Sequence, residues 1–255
     1  AAGETIGRVT ADYAPSCGGE SAPLDAVQDA WEATLEPVMP ELSAHGQGSG
    51  RVKKLACTAV SRPSPAVKSA RPRALIPVFP GTNCEYDTAR ALLRAGAEPE
   101  ILVIRNLSPA DVAESVERVA VAIARSQMIV LPGGFSGGDE PDGSAKLIAS
   151  FFRSPRLADA VQELLDARDG LMLGICNGFQ ALIKLGLVPF GRIVETDANC
   201  PTLTYNAIGR HQSRLVRTRV ASDLSPWLSR CRVGDIHTVA VSHGEGRFVC
   251  PEPLL

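Results

Sequence analysis

The residues best suited to chemistry lie in Gly174-Ile175-Cys176-Asn177-Gly178, which joins an apolar run, LMLGI (171–175), to the helical pattern FQALIKLG. A cysteine between two glycines, at a strand-to-helix junction, has the form of a nucleophile elbow. The sharp turn strains the central residue and crowds the positions two before and two after it, so those must be minimal. The turn aims the sulfur outward, with the N-terminus of the next helix beneath it, where N–H groups favour a thiolate. The Asn177 N–H is placed to donate to an oxyanion. A buried structural cysteine beside two incidental glycines is the other reading.

A second glycine-rich stretch, Leu131-Pro132-Gly133-Gly134-Phe135-Ser136-Gly137-Gly138-Asp139, follows the run MIVL (128–131). Backbone at Gly134 and Phe135 can approach a reacting carbonyl and supply the second oxyanion donor. The stretch holds no lysine and lacks the P-loop pattern, so it is not a Walker-type phosphate loop. A thiolate also needs a base. Of His45, His211, His237 and His243, the last ends an apolar run in Ser242-His243-Gly244-Glu245-Gly246-Arg247-Phe248. In extended backbone positions i and i+2 share a face, so Glu245 is expected to orient His243 as the third member of a triad. His211 in GRHQSR has no equally close acid, His237 reads as structural within IHTVAV, and His45 falls in a low-complexity stretch.

These residues need a scaffold, and the pattern changes near residue 73 to supply one. ALIPVF (74–79), ILVI (101–104), MIVL (128–131) and LMLGI (171–175) are apolar throughout, as strands buried on both faces are. Helical patterns separate them. One is expected to be capped by Asn83, with Ala89, Leu92 and Leu93 inward and Gly96 at its end. Ser108-Pro109 and Ser154-Pro155 start two more, with Val112, Val116 and Val119, then Leu157, Val161, Leu164 and Leu165, facing the core. Alternating strands and helices indicate a three-layer α/β/α fold with a mostly parallel sheet, whose chemistry sits at the C-terminal strand ends. Ahead of it, 22–38 reads as one amphipathic helix with Leu24, Val27, Trp31 and Leu35 on one face, and 41–72, rich in Gly, Ser, Pro and basic residues, reads as a linker.

Bulk composition narrows the function. The 255 residues are 45% apolar and 21% charged, with a net charge of −2, so no general attraction to nucleic acid or to an anionic membrane is expected. No apolar run approaches the roughly 18–20 residues needed to span a bilayer. The N-terminal stretch does not read as a secretory signal. Seven scattered cysteines, with no C-x-x-C pair and no zinc-type spacing, fit a reducing cytoplasm and imply no metal.

VFPGTNCEYDTA (78–89), LPGGFSGGD (131–139), GICNGFQALIKLGLVP (174–189) and SHGEGRF (242–248) together resemble the class I, triad-type glutamine amidotransferases. More narrowly they resemble the C-terminal glutaminase domain of phosphoribosylformylglycinamidine synthases of the large single-chain form. DAWEATLEPVMP (29–40) resembles the end of the synthetase portion. The resemblance implies a flavodoxin-like fold over 73–255, preceded by a synthetase tail over 1–40. It implies a Cys176–His243–Glu245 triad that hydrolyses glutamine through a thioester. Gly134, Phe135 and Asn177 would form the oxyanion hole, and Gln180 would contact substrate. No cofactor is implied in this chain. ATP and magnesium would act at the synthetase site that receives the ammonia. Gly137 stands where many relatives carry an aromatic, and relatives continue beyond the equivalent of Leu255, so a C-terminal segment is expected beyond this sequence. A cysteine hydrolase of another kind and a non-enzymatic interaction domain are the competing classes. The glycine loop and the His-x-Glu order argue against the first, and the presence of all three triad residues against the second.

Overall fold

The four apolar runs form one sheet. In the computed structural model, residues 7–34, 36–37, 55–58, 68–138 and 145–254 are described. Two units are present, Ala1–Arg51 and Val52–Leu255. The first holds a short hairpin, β1 (Ser16–Cys17) and β2 (Glu20–Ser21), then α1 (Leu24–Ala33). The expected apolar face of α1 is solvent-facing, with Trp31 78% exposed, and Leu35 lies outside the described residues.

The second unit contains β3 (Arg73–Val78), α2 (Glu85–Arg94), β4 (Glu98–Val103), α3 (Pro109–Arg125), β5 (Met128–Leu131), α4 (Lys146–Phe152), α5 (Pro155–Gln162), β6 (Leu171–Gly174) and α6 (Asn177–Leu185). The sheet is parallel, in the order β4-β3-β5-β6. That is the flavodoxin-like order, whose connections reverse direction between β3 and β5, so loops after these strands splay apart at their C-terminal ends and leave a crevice. Side chains alternate as a pleated sheet requires. Leu75, Ile129 and Leu131 enter the main core with Val119, Ile123, Phe152, Leu157, Leu164 and Leu185, while Ile76 and Val130 face Ala89 and Leu92 of α2. The α/β sandwich expected from sequence is therefore present, with its larger core on the face covered by α3 to α6.

Local chemistry explains the helix starts. Ser108 Oγ accepts the Asp111 N–H (3.1 Å) and Pro109 occupies the first turn of α3. For α2 the expected Asn83 cap is displaced by one residue: Cys84 precedes the helix at φ 66°, with no side-chain cap. Leu93, expected inward, is 53% exposed, because Ala89 and Leu92 fill the contact with the sheet.

The remaining strands are β7 (Thr202–Thr204), β8 (Gln212–Arg219), β9 (Ile236–His243) and β10 (Arg247–Val249). β8 and β9 form an antiparallel ribbon and β10 pairs with β7. The expected linker over 41–72 lies largely outside the described residues. Its residues 55–58 join the second unit, where the Cys57 N–H donates to Ala221 O (2.9 Å) and the Arg219 guanidinium to Leu55 O (3.2 Å). Among the described residues no helix is long and apolar enough to cross a membrane.

Candidate active site

The site gathers at the C-terminal ends of β3, β5 and β6. β6 stops at Gly174 and α6 starts at Asn177, so two residues make the turn. Cys176 takes φ 53° and ψ −109°, a conformation that L residues rarely adopt. Both flanking glycines are sterically required. A Cβ on Gly178 would lie 2.1 Å from Leu131 O, and one on Gly174 would lie 2.5 Å from Gly178 O. The thiol is exposed, directly above the first turn of α6.

The glycine loop after β5 is stitched to the loop after β3. Asn83 N–H donates to Gly133 O (2.9 Å) and Phe135 N–H to Gly81 O (2.8 Å), around a bridge between Thr82 and Gly134. This approach requires glycine on both sides, since a Cβ on Gly81 would meet Phe135 O at 2.2 Å and one on Gly134 would meet Gly81 O at 2.3 Å. Gly133 packs on the nucleophile, its Cβ position 3.4 Å from Cys176 Cβ. The Phe135 N–H is thus committed to Gly81, whereas those of Gly134 and Asn177 have no acceptor among the described residues. Gly137 takes φ 73° with its Cβ position 3.3 Å from Leu147 Cβ, so an aromatic there would strain the backbone and need Leu147 to shift by a few tenths of an ångström.

β9 delivers His243, and here the geometry departs from the sequence reading. Asn206 donates through Nδ2 to the carbonyls of His243 (2.8 Å) and Arg210 (2.9 Å), which makes its Oδ1 the acceptor. That oxygen receives the Gly246 N–H (3.1 Å) and pairs with His243 Nδ1 (2.9 Å). The network assigns the proton of the neutral ring to Nδ1, leaving Nε2 with the lone pair. The ring nitrogen Nδ1 thus pairs with an amide oxygen, at the place where the sequence reading expects the Glu245 carboxylate. β9 ends at His243 and the chain bends at Gly244 and Glu245, so the extended backbone that an i, i+2 pairing needs stops at His243. Glu245 is 8% exposed and its charge acts on Lys184 of α6. Burial pulls the Lys184 pKa below its usual value, and the Glu245 carboxylate opposes that shift.

Cys176, Gln180, His211, His243 and Glu245 share a cavity of about 220 Å³ with Gly134 and Tyr205. Cys176 Sγ lies 4.0 Å from Ser242 O, and His211 Nε2 lies 2.8 Å from Ser242 Oγ. Gln180 is buried with both ends of its amide engaged, by Asn177 Nδ2 (3.0 Å) and Glu245 O (2.9 Å). His237 is exposed on β9, and His45 lies outside the described residues.

This arrangement of elbow, glycine loop and late histidine coincides with a family match. The model of the CobB/CobQ-like glutamine amidotransferase domain matches residues 71–254. The chain belongs to this family. It is 35% identical over 174 residues to phosphoribosylformylglycinamidine synthase subunit PurQ of Symbiobacterium thermophilum, covering 67% of this chain and 60% of that one. It is 36% identical over 187 residues to the subunit of the same name from Treponema denticola, covering 70% and 64%. A structure of PurLQS from Thermotoga maritima matches with a TM-score of 0.51 and 27% identity over 71% of each chain. The chain spans 60–66% of the length of the curated relatives it matches. These relatives are named as a separate subunit, so the resemblance holds at the level of a PurQ-like amidotransferase domain rather than of the single-chain form.

Within this amidotransferase domain, Asn206 and Lys184 escaped sequence reasoning. Neither has a spacing signal: Asn206 is 37 residues from the ring it holds, in a turn where asparagine is common.

Proposed function

We propose that this amidotransferase domain hydrolyses glutamine at Cys176 and supplies ammonia for the ATP-dependent amidation of formylglycinamide ribonucleotide in purine biosynthesis. The observation that carries the reading is a thiol on a strained elbow, flanked by two uncommitted N–H donors, Gly134 and Asn177, and opening on a cavity with two imidazoles. The thiolate attacks the side-chain amide carbon. The oxyanion forms against the Gly134 and Asn177 N–H groups. The C–N bond breaks as the nitrogen takes a proton and leaves as ammonia, and water cleaves the γ-glutamyl thioester to glutamate. Phe135 drops out of the oxyanion hole because its N–H is committed.

His243 is the base in this reading, with Asn206 rather than Glu245 fixing its tautomer, as an asparagine does in Cys-His-Asn sites. A base from elsewhere in the natural protein is the second reading, favoured by a neutral amide rather than a charged group at His243 Nδ1. His243→Ala separates them: loss of turnover matching that of Cys176→Ala supports His243 as base, and retained turnover makes it a cavity wall. The ATP and magnesium step belongs to a synthetase partner. The stretch 29–40 supports a partner on the same polypeptide, and the relatives' subunit names support a separate one. The mass of the natural protein on a denaturing gel decides.

The test of the whole reading is Cys176→Ala in the natural protein with its synthetase. Glutamine-dependent synthesis is lost and synthesis from added ammonia is kept. Equal loss of both contradicts the proposal.

A further inference from the structure

A line of side-chain amides runs through the floor of the site. Asn177 is 1% exposed, and its amide is used at both ends. Oδ1 accepts the Ser136 N–H (3.2 Å), and Nδ2 donates to Gln180 Oε1 (3.0 Å). Gln180, 8% exposed, passes the line on through Nε2 to Glu245 O (2.9 Å). The direction is set at both ends, because Ser136 offers a backbone donor and Glu245 a backbone acceptor. Flipping either amide would bring like against like.

The line joins two pieces that must be spaced correctly. Ser136 is two residues beyond Gly134, in a loop whose glycines at 134 and 137 take positive φ and so restrain it little by themselves. Asn177 opens the helix that carries the second free N–H. We infer that the Asn177 side chain is a positioning residue: it sets the distance between the two oxyanion donors by holding the Gly134 loop to the helix whose first N–H is the other donor. The inference rests on the glutaminase reading. It also reassigns Gln180 from substrate contact to the next member of the line. Leucine at 177 would leave the Ser136 N–H buried without an acceptor. Aspartate would keep that acceptor, and its second oxygen meets Gln180 Oε1 as a donor only when the carboxyl carries a proton.

The experiment compares two reactions of Cys176 in the natural full-length protein. Glutamine hydrolysis passes through an oxyanion, whereas alkylation by iodoacetamide, followed at the Cys176 peptide by mass spectrometry, does not. Asn177→Leu is expected to lower kcat for glutamine about 10- to 100-fold, with KM and the iodoacetamide rate changed by less than about threefold. Asn177→Asp is expected to retain at least about threefold more kcat than Asn177→Leu. Three results overturn the inference: a leucine variant within about threefold of wild-type kcat, equal damage in both variants, or alkylation falling in parallel with kcat, which marks collapse of the elbow. Wild-type protein that is alkylated at Cys176 but never hydrolyses glutamine overturns the glutaminase reading, and the inference with it.

Discussion

At the scale of single residues, the elbow is where the sequence was most legible. Two glycines at fixed spacing around a cysteine announce a backbone too crowded for side chains, and the structure puts a carbonyl 2.1 Å from the missing Cβ of Gly178. Gly178→Ala must push α6 away from β5 and is expected to destabilise the domain by about 2–4 kcal/mol, read from chemical denaturation. A loss below about 0.5 kcal/mol would show that the elbow relaxes freely. The His243 neighbourhood was the opposite case. A two-residue spacing is informative only while the backbone stays extended, and it bends immediately after His243. The partner that holds the ring, Asn206, comes from a separate turn and left no local trace. Asn206→Ala is therefore expected to lower glutamine turnover about 10- to 100-fold if His243 is the base, with Glu245→Gln closer to wild type. The reverse ranking in steady-state kinetics would restore the carboxylate triad.

Among the elements, strands and proline-led helix starts were readable because their signals are local. MIVL and LMLG are continuous apolar runs, and both became parallel strands. Ser108-Pro109 marks the start of α3 through a cap that the structure reproduces, with Oγ 3.1 Å from the Asp111 nitrogen. Ser108→Ala is expected to lower stability by about 1 kcal/mol, seen as a shifted denaturation midpoint at unchanged slope. α2 starts one residue later than an Asn83 cap would set it, because the loop before it is shaped by the glycine loop: the Asn83 N–H is taken by Gly133 O. Helix faces were legible only in part. α3 turns Ser115, Val119, Ala122 and Ile123 inward and leaves Val112 at its margin, a small rotation that apolar periodicity alone does not resolve.

For the whole domain, the strand order matters more than any one element, since it opens the crevice where the loops after β3, β5 and β6 meet. Its core is shared by α3 to α6, and Phe152 lies fully buried in it against Phe79 and Phe151. Phe152→Ala is expected to cost about 3–5 kcal/mol, enough to unfold a marginal domain. Long-range charge coupling was invisible in the sequence. Lys184 and Glu245 are 61 positions apart in the chain (245 − 184) yet interact in the fold. The folded domain holds the Lys184 proton less tightly than the unfolded chain does. Between the lowered pKa and the usual lysine value of 10.5, the unfolded state therefore binds more protons, and stability from this group rises with pH. Lys184→Met is expected to remove that rise, measured as the pH dependence of the wild-type minus variant denaturation midpoint.

The central claim is that Cys176 carries the γ-glutamyl group during turnover. Acid-quenching the natural protein during steady-state glutamine hydrolysis, followed by peptide mass spectrometry, reads that intermediate directly. The account predicts a glutamyl adduct on the peptide containing Cys176, and none in Cys176→Ala. An adduct on Cys84 or Cys200, or continued turnover by Cys176→Ala, would contradict it.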